Sequence, residues 1–173
     1  GKMAEGNEQL EQVAVSARQA YSDVRESIVG LRTLPGSDRT LADVLAEFLQ
    51  HWKDQSGVET ELTIDPALRL QPSIELQIVR IIQESLTNVR KHARATKARV
   101  GVHRQEGQLV VSIQDDGAGF NPDVTARGEF PKFGLTTMRE RAASIRGSLD
   151  IDSAPGNGTT IRFTMPFAAA TAV

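Results

Sequence analysis

The sequence of 173 residues contains no cysteine, which excludes a disulfide scaffold, a thiolate metal site, an iron–sulfur cluster and a cysteine nucleophile. Its only histidines are His51, His92 and His103, and no two of them have the spacing of metal ligands on one helix. No apolar run approaches the ~20 residues needed to cross a bilayer, and no secretory signal pattern opens the sequence. The net charge of −2 argues against a dedicated nucleic-acid-binding protein. We therefore expect a cytoplasmic segment that contacts neither a membrane nor a nucleic acid.

Hydrophobic spacing and turn signals divide the sequence into three parts. Residues 4–35 carry one narrow apolar stripe, which predicts a long helix that ends at Leu34-Pro35-Gly36. Residues 38–167 contain strand and helix patterns, and residues 168–173 form a tail of small residues. A narrow stripe on a polar helix is typical of a helix that packs against a partner helix. Packing of that helix on its own domain is the alternative.

The central part mixes helices with consecutive strands, which predicts an α+β fold with helices on a mixed or largely antiparallel sheet. A capping box at Thr40-Leu41-Ala42-Asp43 begins the first central helix, and Gly57 ends it. Two more helices are predicted at residues 73–93 and 135–145. The predicted strands cover residues 58–65, 98–104, 109–114, 148–153 and 159–167.

The helix predicted at 73–93 presents three polar side chains on one face. Glu84, Asn88 and Lys91 are four and three residues apart, so they lie one above another on a helix. An amide oxygen suits Mg²⁺, which also takes phosphate oxygens and water, and a lysine one turn away can neutralise phosphate charge. A solvent-exposed outer face is the alternative, and for this helix alone it is the commoner case.

A second group of residues follows the strand at 109–114. The segment Asp115-Asp116-Gly117-Ala118-Gly119 places a carboxylate where it can accept a hydrogen bond from a purine amine, and its glycines let backbone approach a ligand. A calcium loop would need more oxygen ligands, Pro122 interrupts the helix of a dinucleotide fingerprint, and no Walker A motif is present.

Farther along, Gly134-Leu135 opens a helix whose backbone N–H groups can bind phosphate, and Gly158-Thr159 starts the last strand.

In their order, these four motifs resemble those of the GHKL superfamily of ATPases and histidine kinases. Residues 84–92 resemble its N box, residues 115–119 its G1 box, residues 134–138 its G2 box, and residues 156–159 its closing glycine motif. The phrases ESLTNVRKHA and GLTTMRERA are further similar to those of NarX/DesK-type sensor histidine kinases. The helix at 4–35 resembles the second helix of that family's dimerisation and phosphotransfer hairpin.

The resemblance implies a Bergerat fold, which is a two-layer α/β sandwich with a mixed sheet that binds ATP and Mg²⁺. It implies that Asn88 ligates Mg²⁺ and that Glu84 lies near the γ-phosphate as a polar partner or a base. It also implies that Lys91, together with His92, contacts phosphate. Glu84, Asn88 and Lys91 are then the catalytic residues. Asp115 is implied to accept from the adenine amine. The other implied nucleotide-binding residues are Gly117, Gly119, Gly134, Leu135, Gly158 and Thr159, the last acting through water.

The implied function is the ATP-binding catalytic part of a two-component sensor histidine kinase. Such an enzyme transfers the γ-phosphoryl group of ATP to a histidine and then to a response regulator, here one with a NarL/LuxR-type receiver. We expect the acceptor histidine to lie outside this sequence, and the full-length kinase to be a homodimer, with an inner-membrane anchor left open. We also expect a mobile lid from Phe120 to Phe133. The alternatives are an anti-sigma-factor type serine kinase of the same fold and a non-catalytic dimerising module with a degenerate nucleotide site.

Overall fold

A computed structural model describes residues 39–122 and 133–167 of the chain. The helix predicted at 4–35, residues 123–132 of the expected lid, and the tail at 168–173 lie outside the described residues. The described part contains three α-helices: α1 (Leu41–Ser56), α2 (Pro72–Asn88) and α3 (Phe133–Ser144). Its five strands are β1 (Glu59–Ile64), β2 (Lys97–Gln105), β3 (Gln108–Asp115), β4 (Ser148–Ser153) and β5 (Thr159–Pro166).

The strands form one mixed sheet in the order β1-β2-β3-β5-β4. The edge strand β1 runs parallel to β2, and every other neighbouring pair is antiparallel. The turn between β2 and β3 is two residues long, and Glu106 and Gly107 both have positive φ angles there, 51° and 75°. This geometry matches the twist of a tight hairpin. The expected mixed sheet is confirmed.

One face of the sheet carries the helices. On β3, Leu109, Val111 and Ile113 alternate along the strand and are each at most 2% exposed. In register beside them lie Val100 and Val102 of β2 and Ile161 and Phe163 of β5, which belong to the same apolar cluster. Alternate residues of a strand point to the same face of the sheet, so these side chains form one apolar surface. The buried side chains of α1, α2 and α3 belong to the same cluster and complete it. The result is the two-layer α+β sandwich that the sequence predicts.

The ends of α1 follow the sequence signals. Thr40 and Asp43 form a reciprocal capping box, in which the Thr40 hydroxyl accepts from the backbone N–H of Asp43 and the Asp43 carboxylate accepts from that of Thr40. Gly57 ends the helix in the left-handed region at φ 71°, and its N–H donates to the carbonyl of Lys53. Both predicted ends of this helix are confirmed.

The helix predicted at 73–93 differs from the expectation in its last part. It is α-helical only to Asn88 and continues as a π-turn over Val89–Ala93, which Arg94 closes with a φ angle of 52°. The third helix also differs, because α3 begins at Phe133 and includes Gly134 in its first turn, whereas the sequence places that glycine just before the helix. No helix in the described ranges has both the length and the apolar character needed to span a membrane.

The capping box generates a stability prediction. Thr40→Ala removes the hydroxyl that satisfies the first-turn N–H of Asp43, so we expect the free energy of unfolding to fall by about 1 kcal/mol. Thr40→Ser keeps the hydroxyl and serves as the matched control. Trp52 is the only tryptophan, lies on α1 and is 3% exposed, so its fluorescence during urea unfolding reports the effect. Equal unfolding midpoints for the alanine and serine variants would contradict the proposed contribution of the cap.

Candidate functional site

Four residues form a cross-strand row at one end of the sheet. Ala98 on β2 pairs with Asp115 on β3, Asp115 pairs with Thr159 on β5, and Thr159 pairs with Ser153 on β4. Asp115 continues the inward series of Val111 and Ile113, so the side chains of this row point toward the helices. The structure therefore brings Asp115 and Thr159 together, as the sequence predicts. We call these four residues the sheet-end row.

Asp115 is held by the turn that follows it. Its Oδ1 accepts a hydrogen bond from the backbone N–H of Gly117 at 2.8 Å. Burial raises the pKa of the Asp115 carboxyl, while backbone N–H groups of Gly117 and Thr159 act in the opposite direction. One carboxylate oxygen is thus anchored to the protein, and Oδ2 is the oxygen that can accept from a ligand.

Two glycines of the loop after β3 lie against other backbone segments. A Cβ atom on Gly117 would overlap the backbone of Ala93, the last residue of the π-turn. A Cβ atom on Gly119 would overlap the carbonyl of Ala154, in the connection between β4 and β5. Backbone hydrogen bonds of 2.7 Å join Ala118 to both sides, because its N–H donates to Ala93 and its carbonyl accepts from Gly156. We call this packing of residues 116–119 between residues 93 and 154–158 the glycine junction.

Gly158 completes the junction from the sheet side. Its φ angle is 69°, and a Cβ atom there would overlap the carbonyl of Asp115. A side chain at this position would meet both an unfavourable backbone conformation and a steric clash. The structure thus brings Gly117, Gly119 and Gly158, which are three of the residues that the resemblance assigns to nucleotide binding, together around Asp115.

Asp116 has a structural role that the sequence does not indicate. Its Oδ2 accepts from the Thr96 hydroxyl at 2.5 Å, and its Oδ1 accepts from the backbone N–H groups of Lys97 and Thr96 at 2.9 and 2.8 Å. These hydrogen bonds, that of the Thr96 hydroxyl above all, lower the pKa of Asp116 to about 2. The carboxylate therefore fixes the chain where it leaves the π-turn and enters β2. The contact spans about twenty positions in sequence, so no local pattern reveals it.

Ser153 is the other residue of the site that sequence reasoning does not single out. Its hydroxyl donates to the carbonyl of Gly158 at 2.9 Å, lies 3.0 Å from the hydroxyl of Thr159, and accepts from the backbone N–H of Phe120 at 2.9 Å. The only signal in the sequence is its position as the last residue of β4, opposite Thr159.

Glu84 and Asn88 lie one turn apart on α2, as predicted. A Cβ atom on Gly134 would overlap the Glu84 carboxylate, so the glycine in the first turn of α3 lets that helix approach α2. Asn88 is half-buried, and its Nδ2 atom is buried without a hydrogen-bond partner among the described residues. An unpartnered amide at this place is suited to turn toward a ligand.

The predicted α-helical alignment of Lys91 with Glu84 and Asn88 is wrong. Lys91 and His92 are exposed and lie in the π-turn, so the α-helical spacing that aligns Glu84 with Asn88 does not extend to them. Leu135 packs its half-buried side chain against the apolar core. At this position only the backbone of the first turn of α3 is suited to bind a ligand.

The donor set can be tested against Mg²⁺. Within 39–122 and 133–167, no cluster of three histidine, cysteine, aspartate or glutamate side chains could hold a metal ion. Mg²⁺ is often held by one or two protein ligands and completed by substrate phosphates and water. The amide of Asn88 fits that second arrangement, in which the nucleotide supplies most of the ligands.

Comparison with solved structures supports the fold. The histidine kinase domain of the Erythrobacter litoralis EL346 blue-light activated histidine kinase superimposes with a TM-score of 0.71 at 18% identity, covering 88% of this chain and 81% of that one. Full-length ShkA in complex with AMPPNP superimposes with a TM-score of 0.64 at 20% identity, covering 91% of this chain and 38% of that one.

Two curated relatives have higher sequence identity. The signal transduction histidine-protein kinase/phosphatase DegS of Brevibacillus brevis is 31% identical over 150 residues, which are 86% of this chain and 38% of the relative. The sensor histidine kinase LiaS of Bacillus subtilis strain 168 is 29% identical over 150 residues, which are 87% of this chain and 41% of the relative. The chain thus spans about two fifths of the length of each. These relatives support the sensor-kinase interpretation over the anti-sigma-factor kinase and the non-catalytic module.

The family model for histidine kinase-, DNA gyrase B-, and HSP90-like ATPases matches residues 73–169, from the start of α2 to beyond β5. That match covers all four sequence motifs and more than half of the 173 residues. The chain belongs to this ATPase family.

Proposed function

We propose that this chain is the ATP-binding catalytic part of a two-component sensor histidine kinase, with Asp115 selecting adenine and Asn88 holding Mg²⁺. The observation that carries the proposal is the glycine junction. It brings the backbone of the π-turn and of the β4–β5 connection against the residues that follow Asp115. The family match and the sensor-kinase relatives support the same assignment.

The two ends of the site have different tasks in this proposal. The sheet-end row binds the base, because Asp115 presents a carboxylate oxygen beside Thr159 on the inward face of the sheet. At the other end, Asn88 of α2 holds Mg²⁺, Glu84 one turn earlier is the polar or basic partner near the γ-phosphate, and Lys91 in the π-turn contacts phosphate. Bound Mg²⁺ would supply charge neutralisation for the triphosphate. The residues of this chain contribute positioning and electrostatic stabilisation rather than a covalent intermediate.

The acceptor and the partner are also part of the proposal. The γ-phosphoryl group goes to a histidine outside this sequence and from there to a response regulator with a NarL/LuxR-type receiver. The full-length kinase is a cytoplasmic or membrane-anchored homodimer in which residues 4–35 belong to the dimerisation hairpin and residues 38–167 form the ATP-binding domain.

Asp115→Asn tests the base assignment. Asn can keep the bond from Gly117 with its Oδ1, which turns its NH₂ group toward the adenine amine, so two donors then face each other. We expect ADP binding to weaken by about 1–3 kcal/mol. Inosine diphosphate carries a carbonyl at that position, so we expect it to lose less affinity than ADP. Calorimetric titration of both nucleotides measures the two effects.

Asp152→Asn is the matched control for that experiment. Asp152 is an exposed carboxylate on β4, so its substitution should leave both nucleotide affinities unchanged. If ADP binds equally well to the wild type and to Asp115→Asn, the adenine assignment is wrong.

Asn88→Ala tests the metal assignment. We expect the ratio of ATP affinities with and without Mg²⁺ to fall about tenfold, or about 1.4 kcal/mol, while metal-free nucleotide binding persists. Since the Nδ2 atom has no partner among the described residues, the substitution should cost little folding stability. Gln50→Ala, which removes an exposed amide from α1, is the control. An unchanged Mg²⁺ dependence would refute the role of Asn88.

Phosphoryl transfer itself makes a further prediction. Transfer requires an in-line approach of about 3–3.5 Å between acceptor and γ-phosphate. His51 is exposed on α1 and pairs with Gln55, and His103 alternates with the buried Val102, so it lies on the sheet face away from the helices. With γ-labelled ATP, we therefore expect no stable label on His51, His92 or His103, and weak labelling of a separately supplied acceptor hairpin. Stoichiometric phosphohistidine at any of the three, mapped by mass spectrometry, would contradict the proposed division of roles.

A further inference from the structure

The hydroxyl of Ser153 makes three contacts, and together they determine where its proton lies. A serine hydroxyl has one donor and two acceptor lone pairs. The carbonyl of Gly158, at 2.9 Å, can only accept, and the backbone N–H of Phe120, at 2.9 Å, can only donate. The third contact, 3.0 Å to the Thr159 hydroxyl, has either oxygen as a possible donor. All three contacts are satisfied together only when Ser153 gives its single proton to Gly158 and accepts from both Phe120 and Thr159.

The polarity of Thr159 follows from that assignment. In the arrangement that satisfies all three contacts, Thr159 donates its proton to Ser153, since Ser153 has no second proton to give. The lone pairs of Thr159 are then the only part of its hydroxyl that can meet another group. Its neighbour across the strand pair is Asp115, whose carboxylate is also an acceptor.

We propose that Ser153 is a positioning residue that sets the base specificity of the nucleotide site by holding the Thr159 hydroxyl as a hydrogen-bond acceptor. This inference rests on the proposed function, in which Asp115 and Thr159 face the purine. Two neighbouring acceptors select a base with an exocyclic amine at this edge, as in adenine, and disfavour guanine, which has a carbonyl there. Ser153 acts through Thr159 and needs no contact with the nucleotide.

The same strands contain a hydroxyl pair that lacks this constraint. Ser148 and Thr164 face each other across β4 and β5, with their oxygens 2.9 Å apart and either one able to donate. Both this pair and the Ser153–Thr159 pair are cross-strand serine–threonine contacts. They differ because the Ser153 hydroxyl also forms hydrogen bonds with the carbonyl of Gly158 and with the backbone N–H of Phe120. Ser148→Ala is therefore the matched control, because it removes a similar contact far from the sheet-end row.

The test compares ADP with GDP by calorimetric titration of the 173-residue chain. In Ser153→Ala the Thr159 hydroxyl has no serine acceptor, so its proton can turn toward the base. The carbonyl of GDP then gains a hydrogen-bond donor, whereas the amine of ADP faces a second donor. We expect the preference for ADP over GDP to fall about fivefold, the equivalent of one ordinary hydrogen bond. Ser153→Thr retains the hydroxyl and should retain the preference, and Ser148→Ala should leave it unchanged.

The readout separates positioning from general support. A purely structural role for Ser153 would weaken ADP and GDP by the same factor and leave their ratio at the wild-type value, which would overturn the inference. Thermal unfolding of each variant confirms that the compared proteins are folded. Ser153→Cys, whose sulfur is only a weak hydrogen-bond acceptor, replaces the alanine variant if that variant does not fold, and it should also lower the preference for ADP. If the wild-type chain binds neither nucleotide, the proposed function fails instead. If it prefers ADP and Ser153→Ala keeps the full preference, only the role of Ser153 is wrong.

Discussion

The site depends on a close approach of three backbone segments at the glycine junction. Residues 116–119 pass between Ala93 and residues 154–158, and side chains at Gly117, Gly119 or Gly158 would overlap neighbouring backbone. The hydrogen bonds of Ala118 to both sides require this proximity, since backbone groups bond over about 3 Å. Without the junction, the end of α2 and the sheet-end row would be separate features of a common sandwich. With it, the end of the π-turn and the β4–β5 connection both contact the loop that follows Asp115.

Two adjacent carboxylates are used in opposite ways at this junction. Burial raises the pKa of Asp115, whereas donors from Thr96 and Lys97 lower the pKa of Asp116 to about 2. The Asp116 carboxylate accepts hydrogen bonds from the backbone of Thr96 and Lys97. The Asp115 carboxylate accepts through Oδ1 from Gly117, and its Oδ2 can accept a further hydrogen bond. Environments that push neighbouring titratable groups in opposite directions mark sites with divided roles. The partly satisfied group is the one left for a ligand.

Local signals in the sequence predict most of the fold. The capping box at Thr40, the alternation along β3 and the glycine-containing turns depend on residues close in sequence, and each is found in the structure. The site is predicted less completely, because several of its contacts are not local. The bond of Asp116 to Thr96 and the contact of Ser153 with Phe120 follow from strand register and from the glycine junction, which no periodicity encodes. The π-turn after Asn88 is also missed, since helical spacing in sequence does not distinguish it from one more α-helical turn.

The π-turn and the glycine junction depend on each other. The last carbonyl groups of a helix have no partner within it, and Ala93 finds one in the N–H of Ala118. Arg94 follows in the left-handed conformation, and the Asp116 carboxylate accepts from the backbone N–H groups of Thr96 and Lys97. The loop that orients Asp115 is thus also the cap that ends the helix carrying Asn88. In the proposed function, a change in the backbone of this loop is therefore expected to affect the proposed base contact of Asp115 and the proposed metal contact of Asn88 together, whereas truncation of either side chain affects one of them.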